Sequence, residues 1–82
     1  MQKILIIDDH KPSLEAMTSA LESQGYGIVS KSSGKEGLNA VKEDSFDVIL
    51  TDLKMPDIDG MEILRMVMDL DLQTQVILIT AP

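Results

Sequence analysis

With 82 residues, a mass of 9.0 kDa, 44% hydrophobic and 26% charged residues, the chain has the balance of a folded protein and room for one domain, 1–82, with a thin core. Its formal net charge of −7 and pI near 4.3 disfavour direct binding to nucleic acid or an anionic membrane surface, and make a cation the natural ligand. The lack of cysteine excludes disulfides and thiolate metal sites and fits a reducing, cytoplasmic setting.

Ile4 to Ile7 form an apolar run too short for a signal peptide or membrane span, and read as a buried strand leading into Asp8-Asp9. From Pro12 to Gln24, Leu14, Met17 and Leu21 recur at helical spacing, with Gly25 as the C-cap. Tyr26 to Ser30 make a weak strand. Ser33 and Glu36 then stand in capping-box spacing before a helix that uses Leu38 and Val41. Val48 to Leu50 are a second buried strand, running through Thr51 into Asp52. A third helix is predicted from about Met61 to Asp69, with Met61, Leu64, Val67 and Met68 on its apolar face, and Val76 to Ile79 close the series as a strand. Met17, Met61 and Met68 read as core, and Tyr26 and Phe46 as packing residues. The order β-α-β-α-β-α-β implies an open parallel α/β sheet with helices on both faces.

In such sheets ligands bind beyond the carboxyl ends of the strands, where strand order reverses. If the strands ending in Asp8-Asp9 and Asp52 are neighbours, three carboxylates converge. Unit charges about 4 Å apart repel by roughly 4 kcal/mol at an effective dielectric near 20, so a divalent cation relieves the cluster. Oxygen-only ligands favour Mg²⁺, which can also offset charge on an incoming phosphoryl group while an aspartate acts as nucleophile. Taken alone, Asp8-Asp9 is equally a solvated turn opening a helix, and Asp52 a turn residue before Pro56. Asp57 and Asp59 read as loop acids without a role, His10 as a solvated polar residue, and Arg65 has no catalytic partner.

Asp8-Asp9, the segment Asp52-Leu53-Lys54-Met55-Pro56-Asp57-Ile58-Asp59-Gly60 and the strand-end Thr80-Ala81 together resemble response-regulator receiver domains, in order and spacing along the whole chain. The resemblance implies a flavodoxin-like fold with strand order 2-1-3-4-5. It also implies Asp52 as phosphoacceptor, with Asp8 and Asp9 holding Mg²⁺ and Lys54 lending the ion its backbone carbonyl. Thr80 would be the hydroxyl that contacts the phosphoryl group and reports it, and Pro56 and Gly60 would shape the loop into the third helix. The implied partners are a sensor histidine kinase and an output domain. The wording of the central segment is similar to NtrC-type regulators, which activate transcription through an attached ATPase and DNA-binding region.

The chain ends at Pro82, so the family's fifth strand, last two helices and phosphate-binding lysine are expected to be missing, and none of Lys3, Lys11 and Lys54 matches that lysine's position. Val76 to Ile79 then become a sheet edge, from which self-association is expected. Asp57-Ile58-Asp59-Gly60 also resembles a haloacid-dehalogenase-type phosphatase motif, but Lys54-Met55-Pro56 precedes it where a strand should. An EF-hand would place methionine, Met55 and Met66, at its first and twelfth positions. The alternative to a phosphoacceptor is a receiver-like module that signals without phosphate, or a folding fragment of a larger regulator.

Overall fold

The computed structural model describes residues 2–70 and 73–79. Lys3–Ile7 (β1) is rich in isoleucine and leucine because both of its faces are covered, and Leu5, Ile6 and Ile7 have no solvent exposure. After it come α1 (Lys11–Glu22), β2 (Gly27–Lys31), α2 (Gly34–Glu43), β3 (Val48–Asp52), α3 (Gly60–Asp69) and β4 (Gln75–Ile79). All the pairings are parallel and the strand order is β2-β1-β3-β4, so the flavodoxin-like reading stands. The order reverses between β1 and β3. Among the described residues, no helix is long and apolar enough to cross a membrane.

Side chains alternate across a strand, so β1 feeds two cores at once. Leu5 and Ile7 join Ile49 and the inner faces of α2 and α3, through Ala40, Val41, Ile63 and Val67. Ile4 and Ile6 meet Leu14 of α1, with Met17 and Leu21 partly buried beside it. At Gly37 the helix lies so close to β1 that an added Cβ would be 2.8 Å from Ile7 Cγ1.

Helix α2 begins as the capping-box spacing predicts, whereas α1 and α3 depart from expectation in detail. The Ser33 hydroxyl accepts the Glu36 N–H at 3.1 Å, and the Asp59 carboxylate accepts the Glu62 N–H at 3.0 Å. Helix α1 ends on Ser23 as C-cap, and the left-handed turn comes two residues later, at Gly25 (φ 93°). On α3 the predicted core face is corrected in part: Val67 is buried as expected, but Met61 and Met68 are not. Met61 and Met68 are 45% and 69% exposed, whereas Ile63 and Val67 are 0% and 3%. The Met61-Leu64-Met68 stripe lies roughly 100° around the helix from the buried face, about the rotation of one residue.

Burial predicts the response to truncation. Ile63→Val should lower stability by about 1 kcal/mol and Met68→Ala by less than about 0.5 kcal/mol, read from urea unfolding midpoints.

Candidate metal centre at the strand ends

The register Ile7↔Thr51 in the β1·β3 pair sets Asp8, one residue past β1, beside Asp52, the last residue of β3. Asp8, Asp9 and Asp52 each present a carboxylate oxygen, and these oxygens lie within 4.8 Å of one another. Asp8 is buried, Asp52 half-buried and Asp9 exposed. No lysine or arginine nitrogen among the described residues lies within 4.0 Å of any of the three. Among the described residues the cluster thus has no cationic side chain in contact, and its donors are all hard oxygen. That donor set fits Mg²⁺ and offers nothing to a soft metal.

Local backbone orients two of these acids. Asp8 Oδ1 accepts the His10 N–H at 2.9 Å, and Asp52 Oδ1 accepts the Lys54 N–H at 3.2 Å. Each is an acid bonded to the main chain two residues on, the arrangement that short acidic side chains favour in turns. His10 is the N-cap of α1, its ring hydrogen-bonded to Ser13 Oγ at 2.7 Å. The contribution of His10 to the site is thus its main chain, which its reading as a solvated polar side chain did not include.

The loop after Asp52 is held at both ends. Leu53 N–H donates to Ile79 O at 2.9 Å, and Gly60 N–H donates to Leu53 O at 3.0 Å. A Cβ on Gly60 would stand 2.7 Å from Asp52 O, so only glycine allows α3 to start this close to the phosphoacceptor candidate. Between these ends Met55 is buried, while Lys54 and Pro56 are exposed. Thr80 lies outside the described residues.

Asp57 and Asp59, read from the sequence as acids without a role, both cap helices. Asp59 caps α3, and Asp57 reaches α2, where its two oxygens accept the N–H groups of Gly34 (3.1 Å) and Lys35 (2.9 Å). The signal for Asp59 was its spacing to Glu62. For Asp57, 22 residues from Lys35, no local signal exists.

Against known proteins, the chain matches the response regulator receiver domain family over residues 4–82. The chain belongs to that family. It is 38% identical over 78 residues to the uncharacterized transcriptional regulatory protein YkoG of Bacillus subtilis, covering 95% of this chain and 34% of that protein. To the transcriptional regulatory protein GlrR of Escherichia coli it is 32% identical over 78 residues, 95% of this chain and 18% of GlrR. Among solved structures, the response regulator TrrA of Thermotoga maritima in complex with Mg²⁺-BeF superposes with a TM-score of 0.93 at 29% identity, covering 100% of this chain and 71% of that one. The receiver thus spans about a third or less of the length of these curated relatives. As a receiver domain of two-component systems, this chain is a signalling domain.

The bonds to Asp57 also set a pH dependence. The Lys35 N–H, with those of Ile58 and Gly34, holds the Asp57 carboxyl below the usual carboxylate range. A depressed folded-state value means the contact stabilises the fold above the unfolded value of about 3.9, and loses that contribution as pH falls through the lower folded value. The stability gap between wild type and Asp57→Asn in urea should therefore hold from pH 7 to about 5 and close in the acid range below about 4.

Proposed function

We propose that this chain takes a phosphoryl group onto Asp52 from a phosphohistidine of a partner kinase, with Mg²⁺ held by Asp8, Asp9, Asp52 and the Lys54 carbonyl. The observation that carries this reading is the convergence of three carboxylates within 4.8 Å at the ends of adjacent parallel strands. In the transfer, an Asp52 carboxylate oxygen attacks phosphorus and the phosphorus–nitrogen bond to imidazole breaks. The bonding pair leaves with the imidazole nitrogen, and Asp52 becomes an acyl phosphate. Bound Mg²⁺ would supply positive charge for the phosphoryl oxygens.

Asp8 and the Lys54 N–H act here by holding position. Asp8, fixed by the His10 N–H, keeps its charge beside Asp52, and the Lys54 N–H fixes the rotamer of the attacking carboxylate. Pro56 and Gly60 keep the loop close to β3. Thr80, the residue after β4, is the proposed hydroxyl contact for the phosphoryl group. Signal output in the cytoplasm would pass to an attached domain, of NtrC type by the wording of the central segment, and the likeness to the transcriptional regulatory protein GlrR supports a role in transcription regulation.

Two measurements separate this reading from a module that signals without phosphate. Mg²⁺ at ten times its Kd should stabilise the wild-type fold by about 1.4 kcal/mol. Acetyl phosphate should then add one phosphoryl mass to wild type and none to Asp52→Asn. An unchanged mass with Mg²⁺ bound would favour the phosphate-independent module.

The edge of the sheet supports a second property. β4 is the outermost strand beside β3, and Ile77 on it is 50% exposed. We propose that the 82-residue chain self-associates along this edge, because unpaired strand N–H and C=O groups flanked by apolar side chains seek a partner strand. Light scattering should show mass rising with concentration for wild type and a monomer for Ile77→Lys.

A further inference from the structure

We propose that Asp57 is a positioning residue for the metal and phosphoryl site: its carboxylate locks the loop that carries Lys54 past Asp52 onto the N-terminus of α2. The inference rests on the reading above, in which Asp52 and the Lys54 carbonyl hold Mg²⁺.

The loop and the helix meet without slack. Both Asp57 oxygens are engaged, by Gly34 N–H at 3.1 Å and Lys35 N–H at 2.9 Å. These are two of the N–H groups that a helix start leaves unpaired, and a carboxylate is favoured there by the helix dipole. Ser33 Oγ takes a third, from Glu36. Gly34 has no room for a side chain: a Cβ there would collide with the Ile58 carbonyl oxygen and stand 2.7 Å from Ile58 Cβ. Ile58 itself packs on the core shared by α2 and α3.

Only two residues separate this anchor from Lys54. Met55 is buried in the core and Pro56 has its φ fixed by the ring, so little freedom remains between the Asp57 bonds and the Lys54 carbonyl. An ordinary helix cap would act only on its own helix, as Ser33 does. Asp57 instead joins the loop after β3 to an element more than twenty residues earlier in the chain. Ion binding and the Asp57 bonds to Gly34 and Lys35 are then one linked equilibrium, and each must favour the other by the same factor.

The test uses the 82-residue chain, with Mg²⁺ affinity from isothermal titration calorimetry and amide hydrogen exchange at Gly34 and Lys35. Asp57→Ala should weaken Mg²⁺ binding about 5- to 10-fold, the lower range of such couplings. Asp57→Asn, which keeps one oxygen acceptor, should fall between Asp57→Ala and wild type, and keeps the test open if the alanine variant fails to fold. Ser33→Ala uncaps the same helix without touching the loop, and should leave the affinity within twofold. In wild type, Mg²⁺ should slow exchange at both amides. The proposal is overturned if the Asp57 variants bind Mg²⁺ as wild type does, or if Ser33→Ala weakens binding as much as they do. Failure of wild type itself to bind Mg²⁺ overturns the metal reading, and this coupling with it, and is distinct from binding that ignores Asp57.

Discussion

Parallel pairing of β1 with β3, from Ile4↔Val48 to Ile7↔Thr51, brings Asp8 and Asp52 to one rim of the sheet, and the surrounding structure is arranged around the repulsion this creates. The register is held by apolar contact on both faces at once. Leu5, Ile7 and Ile49 are packed beneath α2 and α3, while Ile4 and Ile6 are packed beneath α1. A slip of one residue would exchange these two sets and separate the acids. Hydrophobic burial thereby holds a charge arrangement that is unfavourable by itself, which is what a cation site requires.

Main-chain groups do the local positioning. His10 and Lys54 each offer an N–H to the acid two residues before, and Gly60 offers its own to Leu53 O. Helix starts are handled by the same chemistry, since Ser33, Asp57 and Asp59 all place side-chain oxygens against free N–H groups. Asp57 and Asp59 sit in the loop that leaves the phosphoacceptor candidate. That loop therefore ends on two helices, and its path is set by α2 and α3 together.

At the opposite end of the sheet, a different set of contacts ties Lys3 to the start of β3. Lys3 pairs through its ammonium with Asp44, lies over the Phe46 ring at 5.3 Å and donates its N–H to Asp47 at 2.8 Å. The Lys3 ammonium, with the Ser45 N–H, holds the Asp44 carboxyl below the usual carboxylate range. Both side chains of the pair are about half exposed, at 41% and 48%, so solvent screens it and its share of stability is small. The acidic cluster thus lies at the carboxyl ends of the strands, where parallel sheets place their ligands, and the Lys3 contacts lie at the other end.

The residue pattern alone determined the element order, the Ser33 cap and the strand ends on which Asp8 and Asp52 fall, because these depend on periodicity and on neighbours within four residues. Family membership was equally legible, carried by Asp8-Asp9 and the Asp52 to Gly60 segment. Which side of α3 faces the sheet was not. Val67 belongs to both the predicted and the observed face, and packing against β3 chose Ile63 with Val67 while leaving Met61 and Met68 in solvent. The role of Asp57 was likewise invisible, since its partners Gly34 and Lys35 are more than twenty residues away and become neighbours only when β3 takes its place beside β1. Local chemistry is written in local sequence. Contacts between distant segments follow from the one way this chain can bury both faces of its central strands.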